Sequence, residues 1–421
     1  MKKTIKFLSL FIFISFISIY FFTKKEVPDK AAKNNYLAVV LPHHDVVKDE
    51  RLTFWQQISQ SDDNFSNRYE KIFLLSPDHF SIPQDKVYFD NQSWETSSGL
   101  LNSFLSESLA DYLPDNYIIN SKMIRKDHGI TSMISEIKEN FPNAEFLPIL
   151  IGQQLEFSKL EPLQRFIDSE CKTSSCLLIA SVDFSHYLPN YLANLHDLYS
   201  EKQLRDKLIN QDNKIEVDSP QSLFLLQEFA RSHQLDNWWY QEHTNSSYGD
   251  PSIMETTSHI FGAYLSDDDY NLLKDYELKI ESDSKGYIFS KGLTSRDKES
   301  LGERLFYGAD YTDTDLSEPV NLGENKIIIE PSDNGSSLSY EDNFIHFKLD
   351  ASYVLGVLEE QVGDSKKISL YFYPLEEDNG SKFFSSFVEA NRRNDILFSY
   401  LNKRDISALE IKPRPFQIVI N

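Results

Sequence analysis

The sequence predicts an α/β domain followed by a smaller β-rich domain, on three observations. Short unbroken apolar runs alternate with helical patterns from Tyr36 to about residue 268. Beyond that point closely spaced strand patterns take over. The chain also has 421 residues, too many for one ordinary core. Its 40% hydrophobic and 25% charged residues are a globular composition, neither disordered nor multi-spanning. Forty-two Lys and Arg against 65 Asp and Glu leave a formal charge of −23, which repels phosphate backbones and excludes general nucleic-acid binding. Thirty Phe and 22 Tyr against 14 Gly point to aromatic-filled cores and many strands.

The first 25 residues stand apart. Lys2, Lys3 and Lys6 precede an uncharged run from Phe7 to Phe22, and Lys24 and Lys25 follow it. As a helix the run spans roughly 24 Å, slightly short of a hydrocarbon core of about 30 Å. The basic start fits a secretory signal, but no small-x-small cleavage site follows. The expectation is an uncleaved anchor over residues 1–25 that contacts the membrane and leaves the rest extracytoplasmic. Secretion after cleavage is the alternative. Residues 26–35 read as a solvated tether.

Four buried parallel strands are expected at Leu37 to Leu41, Ile72 to Leu75, Phe146 to Ile151 and Cys176 to Ala180. Helical patterns cover Ile130 to Phe141, Leu155 to Ile167, His196 to Leu208 and Leu223 to Ala230. Strands separated by helices imply a central sheet covered on both faces, with ligands at the carboxyl ends of the strands. Cys171 and Cys176 bracket the start of the fourth strand, and a local disulfide is the preferred reading over a metal grip. Residues 36–268 thus form the α/β domain. Residues 269–421 are expected to form a β-sandwich. Its strands are read at Lys326 to Glu330, Phe344 to Leu349, Ser352 to Leu358, Lys367 to Tyr373 and Phe416 to Ile420, with one helix from Ala390 to Leu401.

Four short segments carry the chemistry. Pro42-His43-His44-Asp45 follows the first strand and Ser76-Pro77-Asp78-His79 the second. Asp127-His128-Gly129-Ile130 opens a helix, and Asp183-Phe184-Ser185-His186-Tyr187 follows the fourth strand. Each places histidine near a carboxylate, the usual means of orienting an imidazole for metal binding or proton transfer.

These segments resemble the Memo family, known in prokaryotes as AmmeMemoRadiSam system protein B. Its signatures PHAG, GPxHH, TPxG, (D/E)HS, PxLxG and SSDFSHY are similar to PHHD (Pro42 to Asp45), SPDHF (Ser76 to Phe80), TSSG (Thr96 to Gly99), DHGI (Asp127 to Ile130), PILIG (Pro148 to Gly152) and SVDFSHY (Ser181 to Tyr187). The order is the same, and the resemblance covers roughly residues 36–268. It implies a fold like that of class III extradiol ring-cleaving dioxygenases, and a pocket with an iron or copper ion on His43 and His79. His44 is adjacent and could exchange roles with His43. The family's third ligand is often a Cys in a CG-x-x-P element, but the matching stretch here is Glu216-Val217-Asp218-Ser219-Pro220. Glu216 and Asp218 are the candidate replacements, and two His with one carboxylate suit iron(II) better than copper. Asp-Ser-Pro before a helix is equally an N-terminal cap.

By the same resemblance His128, His186 and Asp183 line the pocket as acid/base or orienting residues. Asp183 would orient His43 or His79, or cap its own loop. Trp238 and Trp239 resemble a position at the pocket rim, with core packing the other reading. His196, His233, His243, His259 and His346 have no evident partner in sequence.

Two classes of function follow. One is a metal-dependent, dioxygenase-like or other redox enzyme acting on a small organic substrate. The other is a non-catalytic extracytoplasmic module that binds a small molecule or peptide in the same pocket. A metal-assisted hydrolase is a weaker third. The C-terminal strand pattern is similar to carbohydrate-binding jelly-roll modules, and contact with the cell envelope is an equal reading.

Overall fold

The computed structural model describes residues 35–278 except 63, 105–113, 115, 189, 213–214 and 247–255, and beyond 278 a series of strands with a few adjoining residues. The expected anchor and tether, up to residue 34, lie outside the described residues. Among those described, no helix is long and apolar enough to cross a membrane.

A nine-stranded sheet organises residues 35–278. Its centre is four parallel strands in the order β1 (Tyr36–Leu41), β8 (Cys176–Ser181), β2 (Lys71–Pro77) and β7 (Glu145–Ile151). Nearly every residue of these strands is buried, so they read as unbroken apolar runs rather than alternating ones. Successive side chains still take opposite faces. Ala38 and Val40 join one core cluster, whereas Leu37, Val39 and Leu41 join the other.

The flanks are mixed. β3 (Val87–Phe89) runs antiparallel to β7, and β6 (Tyr117–Ile119) pairs parallel with β3. Between them, β4 (Trp94–Thr96) and β5 (Gly99–Leu101) form a separate hairpin whose turn is the TSSG segment. On the other flank β11 (Thr256–Leu265) lies antiparallel to β1 and carries β10 (Asn237–Asn245) outside it. The short β9 (His186–Leu188) pairs with the start of β11.

Helices cover both faces. Leu163 and Ile167 of α5 (Glu161–Cys171), Leu204 of α6 (Asn190–Arg205) and Leu223, Leu226 and Phe229 of α7 (Pro220–Ser232) pack on one. Phe54, Trp55 and Ile58 of α1 (Lys48–Ile58) pack on the other, with Ile124 of α2 (Ser121–Ile124), Ile130 of α3 (His128–Thr131), Ile134 and Ile137 of α4 (Ile134–Asn140) and Leu273 of α8 (Asp267–Leu273). Asp269 of α8 makes a two-pronged ion pair with Arg68, and the Leu278 amide donates to Tyr240 O, so the packing of this domain runs past residue 268.

The expected strands stand where the sequence puts them, but three helices are redrawn. The pattern from Ile130 to Phe141 divides into α3 and α4. The pattern from Leu155 begins as a helix only at Glu161, because Pro162 lacks an amide and is tolerated in a first turn but not in an interior. α6 starts earlier, at Asn190, and stops at Arg205; Lys207 beyond it is left-handed, φ 53°. Trp238 and Trp239 are core residues rather than rim residues. The Trp238 ring lies 4.8 Å from Tyr264, and that of Trp239 lies 5.6 Å from Phe54 on the opposite face. Cys171 and Cys176 are joined in a disulfide.

Beyond residue 278 the described strands form one six-stranded and one five-stranded sheet. All five expected strands are among them, within a few residues at their ends. Most of the expected helix from Ala390 lies outside the described residues, but its last part, Leu397–Leu401, is a strand paired with Phe416–Ile420.

Candidate metal centre

β1, β2 and β8 are neighbours, so the loops at their carboxyl ends meet, and α3 starts beside them. His43 comes from the first loop, His79 from the second, Asp183 from the third and His128 from α3. Asp218 lies just before α7, where Val217 forms an isolated bridge with Phe184.

His43 is 2% exposed. Its Nδ1 donates to the Ser181 carbonyl at 3.2 Å, which turns Nε2 toward two carboxylates. Asp183 Oδ2 lies 3.2 Å from Nε2 and Asp218 Oδ2 lies 3.4 Å from it. Burial dominates the imidazole and pushes its pKa down to about 4, against the pull of Asp183. At neutral pH its Nε2 is therefore a lone pair facing acidic oxygens. Asp183 also accepts from the His43 amide at 3.1 Å. Burial works against its charge, yet the imidazoles around it, His43 foremost, hold it below the usual carboxylate range. Asp218 goes the other way: burial, then the charge of Asp183, push it well above that range. Its Oδ1 is buried and has no hydrogen-bond partner. A proton or a cation relieves this group, and both donor types suit a divalent metal.

His79 is oriented separately. Its Nδ1 donates to Asp127 Oδ1 at 2.8 Å and its amide to Asp127 Oδ2 at 3.1 Å. Asp127 also caps α3 by accepting from the Gly129 amide at 2.9 Å. Burial opposes ionisation of Asp127, but these bonds outweigh it and lower its pKa. Asp78 shapes the loop by accepting from the amides of Phe80 and Ser81, both at 3.1 Å. Gly129 lets α3 approach β2: a Cβ there would sit 2.0 Å from Ser76 Oγ. Ser181 Oγ donates to the Gly129 carbonyl at 2.6 Å, tying β8 to α3. The exposed His128 ring rests 4.0 Å from that of His79, and burial of its inner side lowers its pKa.

His43, His79 and His128 have ligand atoms all within 4.8 Å of one another, and so do His43, Asp183 and Asp218. His43 is common to both sets. Asp183 contacts His43 and not His79, whose carboxylate is Asp127. The cap before α7 is Ser219, which accepts from the Ser222 amide, so Asp218 is not the cap. Glu216 is not brought to this group. It pairs with His196 Nδ1 and accepts weakly from the His186 amide at 3.5 Å. His186 is half-buried in β9, and burial chiefly lowers its pKa, against the charges of Asp183 and Glu216. His44 does not exchange roles with His43; its Nδ1 meets His259 Nε2 at 3.2 Å.

The histidines without a partner in sequence have one in the fold. His196 pairs with Glu216, His243 Nε2 with Asp197 at 2.8 Å, and His233 stacks on Tyr36 at 3.9 Å. His346 faces Ser339 across a strand ladder. Sequence reasoning also missed Arg51. Buried on α1, it makes a bidentate pair with Glu136 of α4 and donates to the carbonyls of Pro42 at 3.3 Å and His44 at 2.8 Å. It fixes the loop that carries both histidines, and main-chain acceptors leave no mark in a sequence.

A family model described as Memo-like protein matches residues 16–226. Curated relatives include a MEMO1 family protein of Nitrosopumilus maritimus, 28% identical over 31% of this chain and 48% of the relative. Another, from Aquifex aeolicus, is 26% identical over 28% of this chain and 45% of the relative. The chain spans about half the length of the curated relatives it matches. Among solved structures, an uncharacterized protein from Escherichia coli K12 aligns with 54% of this chain and 98% of its own at 14% identity and a TM-score of 0.33.

Proposed function

Because the chain belongs to the Memo-like protein family, we propose that its α/β domain holds a divalent metal ion on His43 and His79, with Asp218 drawn in as third ligand from the other set around His43, and uses it for redox chemistry on a small organic substrate. The observation that supports this is the paired orientation of the two imidazoles. Each commits Nδ1 to an acceptor, Ser181 O or Asp127, and keeps Nε2 for a ligand. Two imidazoles and a carboxylate fit iron(II) better than copper, since no thiolate is present. Glu216, held by His196, has no part in this set.

An iron ion bound there would supply redox chemistry and open positions for substrate. The other groups belong to the chain. Asp183 keeps His43 in place by accepting from its amide. His128, exposed beside His79 and held neutral by burial, takes a proton from an acidic hydroxyl of the substrate. His186, on β9 within the field of Asp183 and Glu216, is a second proton carrier. The same proposal keeps the domain extracytoplasmic, with residues 1–25 as its membrane anchor, and the disulfide supports an oxidising compartment. The strands beyond residue 278 form a β-sandwich that contacts carbohydrate or other envelope material.

Metal analysis of anaerobically purified protein tests the reading. One iron per chain is expected, absent from His43→Ala and His79→Ala; no iron or copper above background overturns it. The missing family Cys favours a second reading, a binding module without turnover. A tight organic ligand retained by both variants would select that one.

A further inference from the structure

We propose that His44, His259 and Asp183 form a second cation site, for a divalent ion of the zinc type, beside the one centred on His43. The proposal does not depend on the redox chemistry above.

His44 Nδ1 and His259 Nε2 lie 3.2 Å apart. Two nitrogens bound to one tetrahedral zinc at about 2.0–2.1 Å stand about 3.3 Å from each other, so the two rings already have the spacing of a ligand edge. Asp183 completes a set whose ligand atoms are all within 4.8 Å of one another. Two imidazoles and a carboxylate are a donor set that zinc accepts.

Both rings are held before an ion arrives. His259 sits in the buried strand β11, and its second nitrogen, Nδ1, contacts Thr244 Oγ1 at 3.2 Å. Thr244 is its direct partner across the β10–β11 ladder, so the strand register itself sets the ring. That is the outer support that metal-bound histidines ordinarily have. His44 is half-buried on the first loop, and its carbonyl is pinned by Arg51 at 2.8 Å. Its backbone is extended, φ −63° and ψ 127°, which sends its side chain away from that of His43. The doublet thus supplies one imidazole to each site, and Asp183, which accepts from the His43 amide, is the carboxylate of the second.

The test uses the full chain, stripped by a chelator and then dialysed to equilibrium against zinc chloride, with zinc counted by elemental analysis. Wild type is expected to hold one zinc per chain more than His44→Gln or His259→Gln. His43→Ala should keep the zinc that those variants lose. An equal count in wild type and both Gln variants overturns the proposal and leaves a simple N–H···N hydrogen bond between the rings. A single zinc lost in His43→Ala and kept in His259→Gln does the same, while sparing the His43 site. A single zinc lost in His259→Gln and kept in His43→Ala supports the second site and removes the first. One zinc lost in all three variants means a single shared ion and overturns the proposal, as does no zinc in wild type. His259→Gln lies in the sheet and risks the fold, so circular dichroism accompanies the count. His44→Gln, on a half-buried loop, carries the test if His259→Gln unfolds.

Discussion

His43 and His44 are neighbours in one loop and end in different surroundings. His43 is buried, donates to a carbonyl and faces two carboxylates across Nε2. His44 is half-buried and meets another imidazole. Extended backbone separates them, since consecutive side chains on such a segment take opposite sides. The difference teaches that a histidine doublet after a strand is two addresses rather than two chances at one ligand. Asp183 lies between them and answers to both.

The largest break in that comparison is expected from Arg51→Ala. Arg51 holds the loop by two carbonyls and is fully buried against Glu136. Removing it leaves a buried carboxylate uncompensated, which costs about 3–5 kcal/mol. Urea denaturation should show the loss. The double variant Arg51→Met with Glu136→Leu should recover most of the stability, because two apolar groups replace the ion pair. It should not recover metal binding, since the carbonyls of Pro42 and His44 remain unheld. Full metal affinity in the double variant would show that the loop is fixed by other contacts.

Next comes Asp127→Asn, which touches His79 and leaves both members of the doublet alone. Asp127 accepts two bonds from His79 and one from Gly129. Losing such an outer partner typically weakens metal affinity about 10–100-fold. Iron titration should show that drop while the fold survives, because an Asn side chain still caps a helix. A smaller effect is expected from Gly129→Ala, whose methyl would press on Ser76 Oγ at 2.0 Å. Overpacking of this kind costs about 1–3 kcal/mol, read by thermal denaturation. The strain should move His128 and His79 apart without disturbing His44.

The parallel strands were legible because burial on both faces leaves an unbroken apolar run such as Leu37 to Leu41. β10 and β11 were not, since Asn237–Asn245 carries Gln241, Glu242 and His243 and is bulged between Tyr240 and Glu242. α1 hid for a related reason: its KDERLTFWQQI buries an arginine as well as Phe54 and Trp55. At the site, His43, His79 and Asp183 could be read because loops after parallel strands gather ligands, and His128 because it opens a helix next to Asp127. Ser181 O, Thr244 and Glu136 could not, because carbonyl acceptors, cross-strand partners and helix-to-helix ion pairs exist only once the chain has folded. His259 belongs with these, since its value lies in the register that sets it opposite Thr244.

Asp218 and Ser219 repeat the doublet on a smaller scale and give the mildest prediction. Ser219 accepts from the Ser222 amide and caps α7, while Asp218 turns to His43. Ser219→Ala should cost about 1 kcal/mol of stability and leave metal affinity intact. Asp218→Asn should do the reverse. Its carboxylate is buried beside Asp183 with one oxygen unpartnered, so losing the charge spares the metal-free fold an electrostatic conflict. The same change removes a ligand and should weaken iron binding. Parallel denaturation and iron titrations on the two variants separate cap from ligand. If Asp218→Asn binds iron as wild type does, the third ligand must be sought at Asp183 or His128, the other members of the sets that share His43.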